Sequence, residues 1–101
     1  MAAIVQINFD YSESQAELEQ GSVQAANLFT NIDGLVWKIW LVTETGKRAG
    51  GIYLFETREQ ADAYAASELV AHLKQQRRNT DVRVFDTIEA AGDITSAPRP
   101  R

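Results

Sequence analysis

Few side chains in this sequence can carry chemistry. His72 is the only histidine, and imidazole is the side chain that ordinarily exchanges protons near neutral pH. Hydrogen-bond donors are available from the Asn8 amide, the indoles of Trp37 and Trp40 and the hydroxyls of Tyr53 and Tyr64. Lys38 stands between the two tryptophans and can hold an anion. Each has a plainer alternative: a half-exposed helical histidine, aromatic side chains that simply pack, and a lysine whose stem lies along an edge strand while its head stays in water. The chain has no cysteine, which removes thiolate nucleophiles, disulfides, Fe–S and Cys-zinc sites and favours a reducing compartment. No His and carboxylate cluster stands at metal-ligand spacing, so no metal is expected.

The elements that must position these groups centre on Gly34 to Phe55. The predicted strand Leu35 to Thr43 places Leu35, Trp37, Ile39 and Leu41 on one face and Val36, Lys38, Trp40 and Val42 on the other. Both faces are apolar, so both need cover. The connection Thr43 to Gly51 contains Gly46 and Gly50-Gly51, which are expected to supply turn angles. A phosphate loop is rejected there, because a strand, Ile52 to Phe55, follows where a helix would be required.

Upstream, Ala3 to Phe9 alternates as a first strand, with Ile4, Gln6 and Asn8 on one face. If that face is the inward one, the Asn8 amide needs a partner or a ligand, since a buried unpaired polar group costs roughly 1 to 3 kcal/mol. Ser12 or Ser14 can cap the first helix, and Ser14 with Glu17 forms a capping box. Its core stripe is Leu18, Gly21, Ala25, Leu28, Phe29 and Ile32. Gly21 marks a close helix-to-sheet approach, a local kink, or room left for a ligand. Thr57 caps a second helix with Gln60 three residues on. On it Ala65, Ala66, Leu69 and Leu73 form a core stripe, beside a mixed stripe of Ala61, Tyr64, Glu68 and His72 that suits a pocket rim or a solvent boundary. Asp81 to Ile88 is the last strand, with Val82, Val84 and Phe85 apolar.

The order strand, helix, strand, strand, helix, strand predicts an α+β, ferredoxin-like βαββαβ domain over residues 1–89. It has a four-stranded antiparallel sheet with both helices on one face, and residues 90–101 form a tail, frayed or draped over a neighbour. The other face stays bare unless a second copy closes on it, which predicts a homodimer. Each Trp offers roughly 150 to 250 Å², at most about 4 to 6 kcal/mol on leaving water. One tryptophan should therefore pack under the helices and the other against the partner.

At 101 residues there is room for one modest core. A net charge of −4 with scattered basic residues argues against nucleic acid or an anionic membrane as a partner. The start, Met-Ala-Ala-Ile-Val-Gln, lacks the pattern of a signal peptide. No apolar run approaches the ~18 residues of a bilayer span. A cytoplasmic protein is expected.

Gly34-Leu-Val-Trp-Lys-Ile-Trp40, Ala49-Gly-Gly-Ile-Tyr-Leu-Phe55, Ala61-x-x-Tyr64 and Val84-Phe-Asp86 together resemble the YdhR family of monooxygenases over about residues 3 to 89. The resemblance implies a dimeric α+β barrel, two ferredoxin-like subunits pairing sheet to sheet, with pockets between sheet and helices. It also implies a cofactor-independent oxygenase acting on an electron-rich aromatic or polycyclic small molecule.

Such a reaction needs a substrate that itself gives an electron to O₂, a base, a dry cavity and donors for the developing oxygen charge. His72 is then the candidate base, and Asn8, Trp37, Trp40, Tyr53 and Tyr64 are the candidate substrate-binding residues, with no cofactor. Two other readings stand beside this one. A non-catalytic binder would sequester a small hydrophobic ligand. A haem-binding or haem-degrading protein would use His72 as axial ligand.

Overall fold

The structure, a computed structural model, describes residues 2–98. Four strands, β1 (Ala3–Asp10), β2 (Leu35–Thr43), β3 (Arg48–Phe55) and β4 (Arg78–Asp86), form one sheet in the order β2-β3-β1-β4. Every pairing is antiparallel. The first crossover is α1 (Gln15–Ala25) followed by a 3-10 turn, Ala26–Phe29, and the second is α2 (Arg58–Ala65) with α3 (Glu68–Gln76). The expected ferredoxin-like α+β fold is therefore the observed one. Among the described residues, no helix is long and apolar enough to cross a membrane.

Alternation in β1 explains the core. Ala3, Val5 and Ile7 are buried and meet Tyr53 and Phe55 of β3, Ala61 and Tyr64 of α2 and Val70 of α3 in one cluster. Val82 and Val84 of β4 pack against it. The capping box at α1 is present: Ser14 Oγ accepts from Glu17 N–H, and Glu17 Oε1 accepts from Ser14 N–H, both at 3.1 Å. Thr57 Oγ1 likewise accepts from Gln60 N–H at 3.2 Å.

The structure departs from the sequence expectations at several places. Leu28, expected in the core stripe of the first helix, is 70% exposed on the 3-10 turn, where the helical phase changes. The second helix is two, because Ser67 caps a fresh start by accepting from Val70 N–H. The break resets the helical phase, so Val70 is buried where Leu69 was expected, and Leu69 and Ala66 are exposed. The glycine pair lies inside β3, which begins at Arg48; the hairpin turn is Glu44 to Lys47, closed by Lys47 N–H to the Glu44 carbonyl. A Cβ on Gly50 would fall 1.8 Å from the Ile7 carbonyl oxygen of the neighbouring strand, so this glycine serves close strand approach. A register shift between Leu35 and Trp37 turns Leu35 toward the helices, where it packs on the core. The last strand is Arg78–Asp86 and ends before Ile88, and a short helix, α4 (Glu89–Ile94), follows where only tail was expected.

The tryptophans do divide between the faces. Trp40 packs edge-on against Phe29 on the helix side, ring centroids 5.2 Å apart. Trp37, opposite Leu54, lies on the other side with its indole N–H buried and unpaired. That second face carries Ile39 and Phe85 at 50% and 48% exposure. Near its β4 end, Ile88, Gly92 and Ala97 line a recess with Ile4 and Leu54. Residues 1 and 99–101, including the end of the expected tail, lie outside the described residues.

Candidate functional site

The site arises because α1 does not lie down on the sheet. Leu18 is its only buried residue, and a Cβ placed on Gly21 would meet nothing within 4 Å. The close-approach reading of Gly21 is thus excluded, and the missing side chain borders open space. What results is a cavity of about 350 Å³ between the sheet, α1 and α3, within the range of small-molecule clefts. A second hollow of about 380 Å³ lies toward the β2 edge and shares Leu18, Ser22, Trp40 and Leu41 with the first. It lacks the convergent polar groups that distinguish the first.

The floor of the cavity is aromatic. Tyr53 and Tyr64 rings are 5.0 Å apart, and Phe29, delivered by the 3-10 turn, lies 6.2 Å from Tyr53. Burial, reinforced by the neighbouring Tyr64, raises Tyr53 far above the usual phenol range. Burial also raises Tyr64, with the Tyr53 hydroxyl working the other way. Both therefore remain protonated near neutral pH and act as donors, not bases.

Lys38 lies among these rings. Its Nζ is 3.3 Å from the Trp40 ring centroid, 3.6 Å from Phe29 and 4.6 Å from Tyr53. Gly51 makes this path possible, since a Cβ there would stand 2.9 Å from Lys38 Cε. Burial pulls the amine from its usual range down to about 7. The head turns in among these rings and not out along the strand edge as the snorkelling alternative has it.

One end of the cavity is clamped. Arg77, just past α3, grips Glu13 of the β1–α1 loop with two bonds of 2.6 and 2.8 Å, and its guanidinium lies 5.2 Å over the Phe9 ring. The Arg77 hydrogen bonds hold Glu13 down to about 2. His72 of α3 is exposed at the mouth.

Of the six candidates, Trp40, Tyr53, Tyr64 and His72 line this cavity. Asn8 and Trp37 do not. Asn8 lies on the opposite sheet face, where its Oδ1 accepts from Gln6 Nε2 at 3.0 Å, so its polar group is answered within the strand. Phe29, Glu13 and Arg77 were not anticipated as wall residues. The Gly50-Gly51 pair inside a strand was the available signal for crowding above it; nothing local foretold the Glu13–Arg77 clamp, whose members are 64 residues apart. Among the described residues there is no group of three His, Cys, Asp or Glu placed to hold a metal.

Solved structures with this architecture include SnoaB, a cofactor-independent oxygenase from Streptomyces nogalater, in its N63A form. It is 14% identical, with 86% of this chain and 93% of that chain covered and a TM-score of 0.64. Rv0793 from Mycobacterium tuberculosis is also 14% identical, covering 87% and 96%, at 0.64. MhuD, a heme-degrader from the same organism solved with two hemes in its active site, is 22% identical, covering 84% and 95%, at 0.58. At these identities the likeness is one of fold. A comparison with curated proteins gives no match. The family model that does match, over residues 4–98, is the one described as "Putative mono-oxygenase ydhR". Because that match spans nearly the whole chain, the chain belongs to that family.

Proposed function

We propose that the protein is a cofactor-independent monooxygenase for an electron-rich aromatic or polycyclic hydroxy compound bound between the sheet and α1 and α3. The observation that carries this reading is the convergence of Trp40, Tyr53, Tyr64 and Lys38 on one cavity between the sheet, α1 and α3. Ring surface excludes water and holds a planar substrate. The Tyr64 hydroxyl and Trp40 indole offer donors for negative charge developing on oxygen, and His72 at the mouth passes protons to solvent. For an anthrone, the overall change places one atom of O₂ on the methylene carbon as a carbonyl. The other atom leaves as water with the two hydrogens, and the electrons come from the substrate's own C–H bonds.

The reading includes a homodimer in the cytoplasm, with two copies closing over the sheet face that bears Trp37, Ile39 and Phe85. Oxygen-electrode measurement with a panel of anthrones and hydroquinones, and no added cofactor, should give uptake well above buffer. No uptake across the panel sinks the proposal. An aromatic ligand bound tightly and recovered unchanged would replace it with a binder. Haem is a second reading because His72 borders the cavity; it requires a Soret shift on haem addition that disappears in His72→Ala.

A further inference from the structure

Lys38 is the wall residue whose surroundings leave its chemistry unanswered. Its Nζ lies in the corner formed by the perpendicular rings of Trp40 and Phe29, and among the described residues it has neither an ion pair nor a hydrogen bond. The nearby titratable groups do not neutralise it. Tyr53 of β3 and Tyr64 of α2 remain phenols, His72 of α3 is exposed at the mouth, and Glu13 is committed to Arg77. Glu19 of α1 borders the neighbouring hollow. A buried amine without a counter-ion costs stability, and ring faces recover only part of that cost by favouring the ammonium. An acidic hydroxyl arriving from outside would supply both a proton and the missing counter-ion.

We propose that Lys38 is the group that receives the acidic hydroxyl of the substrate, so that the ligand class is a planar aromatic phenol or enol. The O–H bond breaks as an N–H bond forms on Nζ. The resulting ammonium then holds the aryl oxide or enolate by charge and hydrogen bond against the Trp40 and Phe29 rings. The proposal rests on the oxygenase reading, because the aryl oxide is the species that surrenders an electron to O₂. In it His72 exchanges protons at the mouth, while Lys38 meets the substrate.

The test is anaerobic binding of 4-nitro-1-naphthol, whose phenol and oxide forms absorb at different wavelengths, so no turnover is needed. In the wild-type protein the bound probe should ionise at least about tenfold more readily than in water, a shift of about one pH unit. Lys38→Met should bind the probe and leave its ionisation as in water. In unmodified protein with ¹³C-labelled lysine, the Lys38 Cε titration should begin near 7 and move up by about one unit or more on saturation. This second measurement stands even if the variant fails to fold. Probe bound with neither titration moved overturns the assignment of Lys38 and leaves the oxygenase reading to the oxygen electrode. Equal ionisation in wild type and Lys38→Met overturns it as well. Movement of both titrations without oxygen uptake by any anthrone supports the aryl-oxide site and removes the oxygenase reading. No binding to either protein overturns both.

Discussion

The two faces of the sheet are built from the same strands and made for different ends. On the face toward the helices, Lys38, Trp40 and Tyr53 meet Phe29 and Tyr64 around a gap left by Gly21, Gly51 and the lifted α1. On the opposite face, Ile39 and Phe85 are half exposed, and the Gln6 and Asn8 amides satisfy one another. The first face draws an amine partly out of water at a cost to stability; the second leaves apolar area unburied at a cost to solubility. Under the proposed function, a small molecule with an acidic hydroxyl would answer the first cost and a second copy of the chain the second.

That contrast can be broken face by face. The largest effect is expected from Lys38→Met, which should lower oxygen uptake with an anthrone by roughly 10² to 10⁴, the usual contribution of a positioned base. A change under about threefold would place Lys38 among packing residues. Ile39→Glu, on the opposite face, should weaken dimerisation by roughly thirtyfold or more, about 2 kcal/mol, read by sedimentation over a concentration series. If it leaves the particle mass unchanged, that face is not the contact.

Gly21→Leu should weaken ligand binding by about tenfold by filling the hollow. It should also gain up to about 1 kcal/mol of stability, since glycine is a poor helix residue; tighter binding would mean that the ligand lies elsewhere. The smallest effect is in stability against pH. The folded Lys38 amine sits near 7 against an unfolded value of 10.5, so between those values the unfolded chain binds the extra proton and wild-type stability rises with pH. The burial penalty is complete below about 7. Lys38→Met should therefore melt higher than wild type at pH 6, with the difference shrinking toward pH 10. A gap that widens with pH would contradict the burial argument.

Much of this architecture was written in local patterns. Leu35–Thr43 is the strand its alternation predicts, and the Ser14–Glu17 and Thr57–Gln60 caps stand where their spacing puts them. The blocks around Trp37-Lys38-x-Trp40 and Ala49 to Phe55 carried the family. The site was less legible, because its geometry comes from departures from pattern. Ser67 interrupts a helix whose periodicity reads straight through it, and Val70 replaces Leu69 in the core as a result. Trp37 and Asn8 have the chemistry of site residues but stand on the side of the sheet away from this cavity, which residue type cannot reveal. Lys38 reads as an edge-strand snorkeller until Phe29, arriving on a 3-10 turn nine residues earlier, closes the third side of its cage.

The pairing of Lys38 with Tyr53 and of Ile39 with Ile52 in the β2–β3 hairpin has a consequence for errors in folding. Because neighbouring side chains alternate sides, slippage of β2 by a single residue would transpose its cavity-facing and its outward-facing surfaces. The amine would be delivered outward and an isoleucine inward. If the proposed oxygenase and dimer readings hold, faulty threading of this one ribbon would abolish oxygen uptake and self-association together, and a misregistered molecule would be silent in both assays.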